Sequence, residues 1–196
     1  MARMRIVRRP EDCPGSPQGA EELFSLFFNE GDERRFRGTQ LGWGLLAAQN
    51  PQIAITLAKL TRMIASGPFL AARPDLREIA IQTINMHFRC EFSYRSHLAY
   101  LVKVGLSIET IAALPYWRTS RRFDAEQKLV IEYTLAVVSG EVPDELHDKI
   151  ANAVGEQGVA ELALAVAHWS FWAMFLNAAQ PEIEPDAGID AAAGRQ

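Results

Sequence analysis

The stretch from His87 to His97 reads HFRCEFSYRSH, which puts a thiol at Cys90, a hydroxyl at Ser93 and an imidazole at His97. On an ideal helix of about 100° per residue these side chains, with Tyr94 among them, fall within about 100° of one another. If Cys90 opens the helix, the unpaired amide N–H groups and the helix dipole favour its thiolate. An imidazole two turns on can then exchange protons with it through an intervening group. The same spacing also suits an ordinary core helix, with Cys90 as a small buried hydrophobe, Ser93 as filler and His97 as a hydrogen-bonded core histidine. Glu91 and Arg95 lie off this stripe and are spaced for a helical ion pair.

A second candidate lies just upstream, in EIAIQTINMHF, where Glu78 is an isolated carboxylate among isoleucines. Such a group is suited to act as a general acid or base. It also has a structural reading, because Asp75 and Glu78 follow Pro74 at capping-box spacing, which would turn Glu78 back to the helix's first amide.

The elements that must position these groups read as helices throughout. NPQIAITLAKLTRMIASG has Asn50 as cap, Pro51 at the first helical position and Gly67 as stop. DAEQKLVIEYTLAVVSG runs from an Asp124 cap to Gly140. RPDLREIAIQTINMHF, CEFSYRSHLAYLVKVG, PDELHDKIANAVG and QGVAELALAVAHWSFWAMFLNAA have helical period, and GWG at 42–44 reads as a tight helix break beside Trp43. No strand-like alternation of useful length occurs. The class is all-α, with short links between antiparallel neighbours. The Pro-rich segment 1–17 reads as an extended lead or a strap over a neighbour, 18–180 as one helical domain and 181–196 as a flexible tail.

Composition narrows the function classes. With 196 residues and a formal charge of −4, the chain suits a single domain with no general attraction to phosphate backbones or anionic lipid. Neither nucleic acid nor a membrane is expected as a partner. No run reaches the roughly 18 to 20 uninterrupted apolar residues of a membrane span, although 159–179 comes closest, interrupted by Glu161, His168 and Asn177. Two distant cysteines, Cys13 and Cys90, read as reduced thiols, and no apolar run of signal-peptide length follows the basic start, so a cytoplasmic location is expected. The four histidines show no metal-ligand spacing. Neither a metal nor a cofactor is expected.

Together, LREIAIQTINMHFRCEFSYRSHLAYLVKVGLSIETIAALP and the helices that follow resemble the carboxymuconolactone decarboxylase-like group, which includes alkylhydroperoxidase D. The resemblance spans about residues 40 to 180. It rests on Arg77-Glu78 opening a helix, Cys90-Glu91-Phe92, His97 seven residues beyond the cysteine, Gly105, and Ile111 to Leu114. It implies an alkylhydroperoxidase D-like helical bundle, a homo-oligomer (dimer, trimer or hexamer) and a small-molecule substrate. It also implies catalytic roles for Glu78, Cys90, Ser93 and His97, with Ser93 or Tyr94 orienting the substrate.

The peroxidase branch of that group carries C-x-x-C-x-x-x-H, and here Ser93 stands in place of the second cysteine. A sulfenic acid formed on one thiol needs a second thiol to resolve it, which serine cannot supply. The first expectation is therefore acid/base chemistry of the decarboxylase kind on a small carboxylated or lactone-type compound, or a related hydrolysis or isomerisation. A thiol-dependent peroxidase is the alternative, and a non-catalytic helical oligomer the third reading.

Overall fold

The computed structural model describes residues 3–183, and these form helices and turns with no strand among them. The central helix, α5, is easiest to place once its predecessors are named. They are α1 (Pro17–Ser25), α2 (Leu41–Gln49), α3 (Pro51–Ala65) and the short α4 (Pro68–Ala72). Helix α5 (Pro74–Phe88) buries Leu76 and an unbroken run from Glu78 to Asn85, so it is enclosed on all sides. It is enclosed by α6 (Glu91–Lys103), α8 (Ala125–Ser139) and α9 (Asp144–Ala179), while the short α7 (Ile108–Ala112) follows α6.

Polar residues inside an enclosed helix must find partners, and here they set the position of its neighbour. Gln82 donates through Nε2 to the Tyr94 carbonyl of α6 at 3.1 Å, and Asn85 donates through Nδ2 to Gln82 Oε1 at 3.1 Å. The turn between the two helices is equally determined. Arg89 takes the left-handed conformation (φ 53°), and the Cys90 amide donates back to the Asn85 carbonyl at 2.9 Å. This is a Schellman-type end, which leaves Cys90 as the cap of α6 and outside the helix proper.

At its other end α5 is tied to α8. Arg73 donates to both Asp75 oxygens, at 3.1 and 2.9 Å, and to Glu126 at 2.6 Å. Helix α4 begins against α9, where Glu161 Oε2 accepts the Phe69 and Leu70 amides at 2.9 and 3.1 Å.

Several local expectations hold: Asn50 and Pro51 open α3, and Asp124 and Gly140 bound α8. The two expected helices after Pro143 form one run broken at Gly155, whose φ of 77° and ψ of 160° interrupt the helix. The expected break at GWG is not there, since Gly42 and Gly44 sit inside α2. A Cβ on Gly42 would sit 3.4 Å from Leu176 and 3.5 Å from Trp172, and one on Gly44 would collide with the Val7 carbonyl. The glycines serve close packing. Val7, fully buried, donates its amide to the Gly44 carbonyl at 3.0 Å, so the described part of the lead segment straps over α2 of its own chain. Most of the expected tail, 184–196, lies outside the described residues.

Helix α9 is long and apolar enough, by length and composition, to cross a membrane, and half of that apolar window is buried inside the fold. Its inner face carries Trp169, Trp172 and Leu176.

Candidate active site

The α5–α6 hairpin and the α3–α9 pair enclose a cavity of about 290 Å³ whose lining includes Arg77, Glu78, Ser93 and His97 from the hairpin and Thr61 and Trp172 from the pair. Its chemical centre is one contact. His97 Nδ1 lies 2.8 Å from Glu78 Oε2, and the Glu78 side chain is only 3% exposed against 20% for His97. Nδ1–H donating to the carboxylate leaves Nε2 as the ring nitrogen able to take or give a proton. Glu78 is thus not a capping-box residue, and the cap of α5 carries no side-chain hydrogen bond.

Arg77 Nε lies 3.6 Å from the second carboxylate oxygen, and Arg77 Nη1 donates to the Ala65 carbonyl at 3.2 Å, which braces the guanidinium between α5 and α3. Among the described residues it is the one lysine or arginine on the cavity lining. Ser96 is spent on its own helix, donating to the Phe92 carbonyl at 2.7 Å.

The expected single stripe is divided. Glu78, Ser93 and His97 share this cavity, while Cys90 and Tyr94 line another of about 300 Å³ with Met86, Ile111, Leu114 and Pro115. The reason is local: Cys90 has φ −85° and ψ 87°, so helical periodicity does not extend back to it. The thiolate argument fails as well. Cys90 is 1% exposed, and burial pushes its thiol up against the lowering effect of the Ser93 amide. Tyr94 lines the Cys90 cavity and not this one, so within the His97 cavity Ser93 is the residue left of the two expected to orient a substrate.

Thr61 and Trp172 of the lining are both bonded to a histidine that the sequence reading did not assign and that is not itself on the lining. His168 Nε2 lies 2.8 Å from Thr61 Oγ1 and accepts from Trp172 Nε1 at 3.2 Å. Burial pushes the His168 imidazole down, toward its neutral form. The i, i+4 spacing of His168 and Trp172 was open to inspection in the sequence, but Thr61 is brought in only by the packing of α3 on α9. Among the described residues no three His, Cys, Asp or Glu side chains converge as a metal-ligand set.

Compared with protein-family models, with curated proteins and with solved structures, the chain matches none.

Proposed function

We propose that this cavity performs proton-transfer chemistry on a small carboxylated or lactone-type compound, the chemistry implied by the chain's resemblance to the carboxymuconolactone decarboxylase-like family on an alkylhydroperoxidase D-like scaffold. The observation that carries the proposal is the buried Glu78 carboxylate 2.8 Å from His97 Nδ1, with both residues on the cavity lining. A carboxylate there holds the ring orientation and tautomer and offsets the charge of the imidazolium.

For a lactone bearing a β-carboxylate, the bond between ring carbon and carboxylate breaks and CO2 leaves. The electron pair spreads onto the lactone carbonyl oxygen. Arg77 supplies a fixed positive charge for that oxygen, and the Ser93 hydroxyl a neutral hydrogen bond. The proton on His97 Nε2 then goes to the carbon, and solvent restores it. Hydrolysis or tautomerisation of such a compound would use the same groups in the same roles.

The thiol-peroxidase alternative has less support, because Cys90 faces the other cavity and its thiol is held protonated by burial. The test is to incubate the protein in D2O with a panel of carboxylated lactones labelled with ¹³C at the carboxylate. Labelled CO2 and one deuterium on the product carbon are expected, both lost in His97→Gln. Sustained peroxide reduction lost in Cys90→Ser, with no lactone turned over, would overturn the proposal in favour of the peroxidase. Neither activity would favour a non-catalytic scaffold.

A further inference from the structure

Counted as formal charges, the lining of the His97 cavity is balanced before any ligand enters. Arg77 contributes one positive charge and Glu78 one negative, and Arg77 Nε stands 3.6 Å from Glu78 Oε1. His97 adds no charge while its ring carries a single proton, the one that Nδ1 can donate to Glu78 Oε2 at 2.8 Å. A second proton, on Nε2, would leave one positive charge uncompensated beside Trp43, Phe92, Trp169, Trp172 and Leu176, the apolar part of the wall. An uncompensated charge in such surroundings is destabilising.

A carboxylate ligand reverses that argument. A space of about 290 Å³ is on the order of one Debye length across, ~8 Å at physiological ionic strength, so salt does not screen the ligand from the imidazole wherever it lodges. The lining then holds one negative charge too many, and a proton removes it. Of the two groups able to take one, Glu78 and His97, imidazole is ordinarily the stronger base by about two pH units. Tyr100 is the other titratable residue on the lining, and its ionisation could only add negative charge. Among the described residues α2, α3 and α9 bring no Asp, Glu, Lys, Arg, His or Cys to the lining. Lys103 lies off it, with Nζ 5.4 Å over the Tyr100 ring, and its charge is the same with or without ligand. His168 is also off the lining, and burial holds its imidazole toward the neutral form.

We propose that the cavity takes up a carboxylate ligand together with one proton from solvent, and that His97 Nε2 receives this proton. The ligand class rests on the function proposed above, while the proton count rests on the charges of the lining. The coupling supplies the reaction with its acid, because the substrate draws in the proton that its own carbon then receives. Loss of CO2 removes the negative charge, transfer from Nε2 removes the positive one, and the lining returns to its starting sum.

The experiment is calorimetric titration of the full chain with benzoate, a carboxylate with no lactone to react, from about pH 6 to 9 in pairs of buffers of different ionisation enthalpy. The difference in heat between buffers counts the protons bound. Uptake should pass through a maximum approaching one proton per benzoate, and affinity should fall with rising pH by up to about tenfold per unit where uptake is greatest. Long-range ¹H–¹⁵N correlation should show His97 as an imidazolium in the complex at a pH where the free protein shows it neutral, with His168 unchanged. Benzamide, of the same shape and without charge, should leave His97 neutral. His97→Gln should abolish the uptake, and the spectra of the natural protein decide the matter if that variant fails to fold.

Benzoate bound without proton uptake at every pH, uptake with His97 still neutral, or no binding of benzoate overturns the inference. Protonation of His97 by benzamide overturns the ligand's charge as its cause. Proton-coupled benzoate binding with no lactone turned over keeps this inference and removes the proposed reaction, and lactone turnover without proton uptake does the reverse.

Discussion

Cys90 and Ser93 are separated by one helical turn in sequence, yet their side chains line different cavities, with His97 on the Ser93 side. The thiol and the imidazole that would have activated it therefore belong to residues lining separate cavities. Thiolate character and access decide how fast a cysteine reacts, and Cys90 lacks both. Cys13 is no better prepared, since burial and then Asp12 push its thiol up, against a smaller opposing effect of Arg5. At neutral pH the folded protein should show slow thiol titration, with both cysteines reacting at once only after unfolding in guanidinium. Peroxide turnover with dithiol reductants should be correspondingly slow. A fast-reacting native thiol that maps to Cys90 would contradict this.

Glu78 and His97 act as one unit if their 2.8 Å contact is what orients the ring. Glu78→Gln and His97→Gln should each lower kcat on a turned-over lactone by about a hundredfold or more, with a smaller change in KM. The double variant should be little worse than either single one, because each removes the same function. Losses that multiply would mean the two residues contribute separately. Circular dichroism of the Glu78→Gln protein checks that the fold survives the loss of the buried carboxylate.

Stability should fall on mild acidification because of His168. Burial holds its folded-state pKa below the ordinary value of 6.5, so as pH drops below 6.5 the unfolded chain takes up a proton that the folded chain resists. Its contribution is whole above that value and is lost as pH falls through the folded pKa. Thermal melts between pH 8 and 5 should show Tm declining at the acid end, with a shallower decline in His168→Gln. Equal slopes in the two proteins would mean that His168 is not the group responsible.

We predict that the outer face of α9 packs against a second copy of the chain. Ala160, Leu164, Ala167, Phe171, Met174 and Ala178 are exposed and recur at alternating spacings of four and three, the pattern by which one helix packs against a like helix. No Asp, Glu, Lys or Arg occurs from residue 162 to 179. A membrane surface suits this face less, because there is no Lys or Arg from 150 to 183 to meet anionic headgroups, and the flanking charges at Glu156, Glu161 and Glu182 are acidic. Light scattering at micromolar concentration should report an oligomer. Leu164→Glu with Met174→Glu should yield a folded monomer, since both side chains are 54% exposed and bear little of the core. A monomeric natural protein would refute the interface.

The features legible along the chain are local. Asn50 with Pro51, and Asp124 with Gly140, mark helix ends because capping groups and backbone conformers act within a few residues. Arg95 meets Glu91 at 2.6 Å because helical geometry alone brings i and i+4 together. Helical periodicity likewise carried the all-α class and the placing of Ser93 and His97 on one face. Periodicity misled at Cys90, where the chain turns through Arg89 and the period does not yet apply, and reading glycine as a helix breaker misled at Gly42 and Gly44, where it answers to close packing and not to a turn.

Packing settles whether Glu78 meets a cap amide or His97, since the choice depends on α6 folding back along α5. Packing likewise brings Thr61 within 2.8 Å of His168, across 107 residues of chain. Such contacts follow from how enclosed helices share their buried polar groups, and that is a property of the packed whole, with no periodic signal along the chain to announce it.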